Sequence, residues 1–146
     1  MAFDARISIL TLGVANVKTS TEFYERLGWR RSKTASNDSI SFFRLDEMVF
    51  ALYPRDALAE DAGFEDATPP QLFKNATLSQ NHLSCDDVDK ALKIALRAGA
   101  RLTRPAKQMA WGGYAGCFAD PDGHVWEMAY NPMLTMDSKD ALHLPA

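Results

Sequence analysis

One carboxylate, Glu127, lies inside an apolar segment and is the residue best suited to chemistry. It belongs to the stretch FADPDGHVWEM, which is typical of a strand, a tight turn and a second strand. A carboxylate in a buried strand needs a partner such as a metal ion, a ligand or a basic side chain; otherwise it is exposed. The sequence therefore makes Glu127 a candidate catalytic base and a candidate metal ligand.

Four further polar or aromatic side chains are candidates for contact with a small molecule. Gln80 lies in the strand-like segment ATLSQNHLSC, and His82, two residues later, falls on the same strand face. The segment WGGY places Trp111 and Tyr114 on either side of two glycines. These two aromatics either form a flap over a flat apolar ligand or fill the core beside a turn.

The elements that would position these residues occur twice along the chain. A strand, RISILTLGV, precedes the helical pattern NVKTSTEFYERLGW, and a second strand, ATLSQNHLSC, precedes DDVDKALKIALRAGA. Three further strands are predicted in the second half (ARLTRPAKQ, GGYAGCFAD and HVWEMAYN) and two in the first (SISFFRLDE and MVFALYP). A strand–helix–strands unit that occurs twice indicates an internal duplication.

The glycine that closes each helix gives a scale for aligning the two copies. Twelve residues before Gly28 is Asn16, and twelve before Gly99 is Asp87; both are residue types that cap helix starts, as are Thr19 and Ser20 in the first helix. Seven residues earlier still, Ile9 in the first copy corresponds to Gln80 in the second.

Each unit covers one face of its sheet with a helix, so the other faces can enclose a shared cavity. Strand alternation predicts that Ile9, Gln80 and Glu127 face that cavity, with Thr11 on the same side as Ile9. Among the aromatics of the first half, Phe43 is a further candidate ligand contact.

The predicted organisation is a single domain, residues 1–146, of two modules at about 5–56 and 75–133. The polar residues 57–74, which include Pro69-Pro70, are predicted to form a linker. Residues 134–146 are predicted to be a C-terminal tail.

The segments LTLGVANVKTSTEFYERLGW and WGGYAGCFADPDGHVWEMAYNP, with the duplication, resemble the vicinal oxygen chelate superfamily. That superfamily includes glyoxalase I, bleomycin-resistance proteins and extradiol dioxygenases. The resemblance implies an α+β fold in which two βαβββ modules form a cupped mixed sheet with helices outside. It also implies a homodimer.

In metal-dependent members of this superfamily, each module supplies one ligand from its first strand and one from its last. Carried onto this chain, those positions are Ile9, Ala51, Gln80 and Glu127. Only Gln80 and Glu127 carry donor atoms, so no complete metal site and no cofactor are predicted. Extradiol chemistry, which needs two histidines and a carboxylate in this family, is disfavoured.

Two functions remain open. The first is a glyoxalase- or bleomycin-resistance-like protein that binds a small, partly aromatic molecule in the cavity without a metal. The alternative is a metal-assisted lyase or isomerase of the glyoxalase I type, which would act on a carbonyl compound with Glu127 as base or ligand.

Composition limits the other partners. A net charge of −3 with no basic run argues against nucleic acid, and no apolar run is long enough to span a membrane. The two cysteines, Cys85 and Cys117, form no CxxC motif, and the N-terminus MAFDARIS has no apolar signal region. These features predict reduced thiols and a cytoplasmic location.

Overall fold

The computed structural model describes residues 5–65, 73–137 and 141–144, and the chain divides into two compact units, 1–71 and 72–146. Both units combine helices with sheets that contain parallel and antiparallel strand pairs, which confirms the predicted α+β class. None of the helices in these ranges has the length and hydropathy needed to cross a bilayer.

The first unit contains a three-stranded sheet in the order β1-β3-β2, with β1 parallel and β2 antiparallel to β3. On the other side of β2, an isolated bridge joins Arg31 to Phe43. The elements are β1 (Ile9–Val14), α1 (Val17–Arg26), β2 (Ser41–Arg44), β3 (Val49–Pro54) and α2 (Arg55–Asp61).

The second unit contains a four-stranded sheet in the order β4-β7-β6-β5, with β4 parallel to β7. Both units therefore follow a strand–helix–strands order, and the bridge at Arg31 takes the place that β5 fills here. The elements are β4 (Thr77–Asn81), α3 (Cys85–Ala98), β5 (Arg101–Gln108), β6 (Tyr114–Ala119), β7 (Val125–Tyr130), β8 (Thr135–Met136) and β9 (Leu142–His143).

Helix α2 was not predicted, because residues 57–61 fall in the segment assigned to the linker. It is short and contributes no buried side chain, so it has little apolar periodicity to detect. Gly13 allows α2 to approach β1, since a Cβ at that position would lie 3.3 Å from Leu58 Cδ2. The Pro69-Pro70 pair lies outside the described residues.

The two helix starts differ from the sequence prediction in one respect. Asn16 caps α1 as expected, with its Oδ1 accepting from the Thr19 amide at 2.8 Å. The cap of α3, however, is Ser84, whose Oγ accepts from the Asp87 amide at 3.1 Å, so the prediction of Asp87 as cap was wrong. From cap to closing glycine there are 12 residues in the first unit and 15 in the second, because α3 is longer than α1.

Ser84→Ala should lower the free energy of unfolding by about 1 kcal/mol, because the first turn of α3 would lose its capping oxygen. Chemical denaturation of the variant and the wild type at pH 7 measures this difference. Asn16→Ala, which removes the α1 cap, is the matched variant in the other unit and should give a loss of similar size. An unchanged stability of Ser84→Ala would contradict the assigned cap.

Ser84 also affects the pKa of Asp87, which lies three residues later in α3. Its hydroxyl donates to Asp87 Oδ2 at 2.7 Å, and this hydrogen bond holds the pKa of Asp87 below its ordinary value of 3.8. A carboxyl whose folded pKa is lowered stabilises the fold above its unfolded pKa and loses that contribution as the pH falls through the folded one. In Ser84→Ala the pKa of Asp87 should therefore rise, which carboxyl NMR titration would detect.

Candidate functional site

A row of four side chains crosses the sheet of the second unit. Ser79 pairs with Glu127, Glu127 with Cys117, and Cys117 with Arg104, so each of the four strands contributes one residue. Directly opposite residues of paired strands point to the same face. We call Ser79, Glu127, Cys117 and Arg104 the polar row.

The polar row lies on the face of the sheet turned away from α3, which we call the far face. The neighbouring residue on β6, Gly116, points toward the helix, since a Cβ there would lie 2.6 Å from Leu92 Cδ1 of α3. Successive residues of a strand point to opposite faces, so Cys117 and the residues paired with it occupy the far face.

Glu127 is held by two long contacts. Ser79 Oγ donates to Glu127 Oε1 at 3.3 Å, and Arg104 Nη2 lies 3.8 Å from Glu127 Oε2. Hydrogen bonds to a carboxylate are usually about 2.5–2.7 Å from a hydroxyl and about 2.7–2.9 Å from a charged N–H, so neither contact is a strong one. The side chain of Glu127 is 31% exposed, and that of Arg104 is 27% exposed. The carboxylate therefore keeps capacity to accept further hydrogen bonds.

Arg104 is fixed in place by the strands around it. Its Nη1 donates to the backbone oxygen of Ala115 and to Met109 Sδ, both at 2.9 Å, and its Nη2 donates to Cys117 Sγ at 3.5 Å. The pairing of β5 with β6 shifts register on both sides of Arg104. Such an irregularity redirects a side chain, and here it accompanies the approach of the guanidinium to Glu127.

Gln80 does not share a face with Glu127, so that part of the prediction was wrong. Gln80 pairs with Met128, and His82 Nε2 lies 3.5 Å from Met128 Sδ, on the α3 side of the sheet. The error follows from the longer α3, because a count from the closing glycine is shifted by three residues. An odd shift moves a strand residue to the opposite face.

Counting from the helix caps instead gives the register that the structure has. Thr77 lies seven residues before Ser84, as Ile9 lies seven before Asn16. Thr77 pairs with Val125, two residues from Glu127, and so it belongs to the far face.

The two aromatic residues of the predicted flap lie outside the polar row. The Tyr114 hydroxyl donates to Asp89 Oδ1 of α3 at 2.8 Å, and this hydrogen bond raises the pKa of Tyr114 above its ordinary value of 10.0. The ring of Trp111 covers Gly113 so closely that no Cβ would fit there, and Trp111 is 43% exposed. Contact of Trp111 with a ligand stays a prediction.

In the first unit the structure separates Phe43 from Thr11. Phe43 is 1% exposed, and its ring centroid lies 6.1 Å from those of Tyr24, Trp29 and Phe50. The residue therefore belongs to the core beside α1. Thr11, by contrast, is partly buried and pairs with Ala51.

The side chains at the four inherited ligand positions do not fit a metal. Ile9 and Ala51 have no donor atom. Thr77, which takes the position first assigned to Gln80, offers one hydroxyl, and Glu127 offers a carboxylate. A cation at Glu127 would also meet the Arg104 guanidinium 3.8 Å away, which is a like charge. Within the described ranges no group of three or more His, Cys, Asp or Glu side chains could hold a metal ion. Divalent metals require several donors at once.

Solved structures share this fold over most of their length. A glyoxalase-related enzyme from Fulvimarina pelagi is 29% identical, with a TM-score of 0.85 over 97% of this chain and 99% of that chain. A glyoxalase/bleomycin resistance protein/dioxygenase from Nocardioides is 21% identical, with a TM-score of 0.75 over 89% and 85%. Lactoylglutathione lyase from Agrobacterium tumefaciens is 14% identical, with a TM-score of 0.63 over 88% and 95%, which shows the fold alone.

Sequence comparison gives the same grouping. An uncharacterized protein of Mycobacterium bovis is 33% identical over 79 residues, which are 54% of this chain, and the chain spans about half the length of that relative. The model of the Glyoxalase/Bleomycin resistance protein/Dioxygenase superfamily matches residues 6–128. The chain therefore belongs to the glyoxalase/bleomycin resistance protein/dioxygenase superfamily.

Proposed function

We propose that the protein is a metal-independent member of this superfamily that binds a small, partly aromatic molecule at the far face of the second unit. The supporting observation is the placement of the Arg104 guanidinium 3.8 Å from Glu127. The positive charge beside this carboxylate is then an arginine of the chain itself and not a metal ion.

The residues around the polar row are apolar. Three alanines flank it on the same face and are only 0–4% exposed, whereas Glu127 and Arg104 beside them are partly exposed. Small-molecule sites typically combine an apolar lining with a few placed polar groups. The flanking residues are Ala115, Ala119 and Ala129.

The alternative, a metal-assisted lyase or isomerase with Glu127 as base or ligand, needs donors that the inherited positions do not provide. A cavity between the two modules, as in the sequence prediction, would add residues of the first unit to the site. That arrangement stays a prediction, as does the homodimer, which light scattering of the purified protein would measure.

Glu127→Gln should weaken the binding of neutral aromatic ligands about tenfold, because the neutral amide is a poorer acceptor than the carboxylate. A thermal-shift screen of aromatic compounds, with and without divalent metals, first identifies molecules that raise the melting temperature. Titration of those compounds against Glu127→Gln then measures the change in affinity.

Glu47→Gln is the matched control, since Glu47 is exposed in the β2–β3 turn and its substitution makes the same change of charge. It should bind as the wild type does. Equal affinities of the wild type and Glu127→Gln for every compound found would refute a binding role for Glu127.

A further inference from the structure

Arg104 and Glu127 present a donor and an acceptor side by side, and neither is used fully within the described part of the chain. Glu127 Oε2 has the guanidinium at 3.8 Å as its nearest partner, which is beyond hydrogen-bond distance. Arg104 Nη2 donates to a thiol sulfur at 3.5 Å, and sulfur is a weak acceptor. A ligand oxygen at Arg104 and a ligand N–H or O–H at Glu127 would both be better partners.

The two charges also restrict the charge of the ligand. Together the guanidinium and the carboxylate are neutral, so an anion drawn to Arg104 is repelled by Glu127, and a cation drawn to Glu127 is repelled by Arg104. A neutral group that both accepts and donates satisfies each residue without leaving a partly buried charge unpaired.

We infer that the polar row recognises a neutral group with a hydrogen-bond acceptor and a donor on the same carbon atom, namely a carboxamide or a lactam. The ligand oxygen accepts from Arg104 Nη2, and the ligand N–H donates to Glu127 Oε2. This inference rests on the proposed function, because it concerns the same face and names the chemical class of the ligand.

Benzamide, benzoate and benzamidine test the inference, because they share one ring and differ in the charge and hydrogen bonding of the head group. Titration of isotope-labelled protein, followed by amide NMR shifts, gives both the affinity and the location of binding. Benzamide should bind the wild type at about millimolar concentration, as its size allows, with the two charged probes about tenfold weaker.

Two variants should change which of the three probes binds best. In Glu127→Gln the polar row becomes positive, so benzoate should bind better than benzamide. In Arg104→Gln it becomes negative, so benzamidine should bind best. Glu127→Gln alone decides the matter if the loss of the Arg104 contact to the Ala115 oxygen impairs folding of the second variant.

The possible results separate the inference from the proposed function. If the three probes shift amides of the polar row but keep one order of affinity in all three proteins, the head group does not contact the charged pair. The inference then fails and the proposed function stands. If no probe shifts those amides at about 10 mM, both fail, because that concentration exceeds the expected dissociation constant.

Discussion

Phe43→Ala should lower the free energy of unfolding by about 4 kcal/mol, because the deletion leaves a cavity among aromatic rings in a closed core. Phe43 is 1% exposed, and its ring lies 6.1 Å from that of Tyr24, which α1 supplies. Urea denaturation followed by circular dichroism measures the loss. Under conditions in which Phe43→Ala remains folded, its affinity for a ligand of the second unit should equal that of the wild type.

Phe42→Ala is the matched control, because Phe42 is the adjacent residue of β2 and points to the opposite face. It is partly exposed, so its removal should cost clearly less than that of Phe43. Equal losses for the two variants, or a Phe43→Ala protein of wild-type stability, would contradict the face assigned to Phe43.

Gly116→Val should destabilise the second unit by about 3 kcal/mol or more, and Gly116→Ala by somewhat less, because the site has no room for added atoms. A Cβ there would lie 2.6 Å from Leu92 Cδ1 and 2.9 Å from the backbone nitrogen of Ala106. Leu92 can move aside, whereas Ala106 belongs to β5, and moving it would strain the β5–β6 pairing.

The alanine and valine variants at position 116 are compared by thermal denaturation. A graded loss from glycine to alanine to valine is expected, and Leu92→Ala should cost less stability in the alanine background than in the wild type. Tolerance of valine would mean that Gly116 does not face α3. The placement of Glu127 on the opposite face would then be wrong as well.

Local sequence patterns were enough to predict most of the fold. Apolar alternation and closing glycines located β1, α1, α3 and the strands of the second half, since these signals come from the chain's own periodicity. Helix α2 escaped detection because it is short and buries no side chain. The fourth strand of the first unit is reduced to a bridge at Arg31, which agrees with the prediction of two further strands in the first half and three in the second.

The candidate site was harder to predict, since it depends on register. Glu127 was identified because a carboxylate among apolar residues is unusual, whereas Gln80 was misplaced because α3 is longer than α1. The Ser84 hydroxyl three residues before Asp87 is the signal that would have corrected the count. Arg104 of β5 reaches Glu127 of β7 across one intervening strand, β6, beside a register shift, and local sequence does not encode such a contact.

Metal analysis of protein purified without chelators shows whether an arginine or a metal ion accompanies Glu127. We expect far less than one Ni, Zn, Fe or Mn per chain, and a melting temperature that these ions do not raise. About one ion per chain, lost in Glu127→Gln but kept in Glu47→Gln, would contradict this expectation.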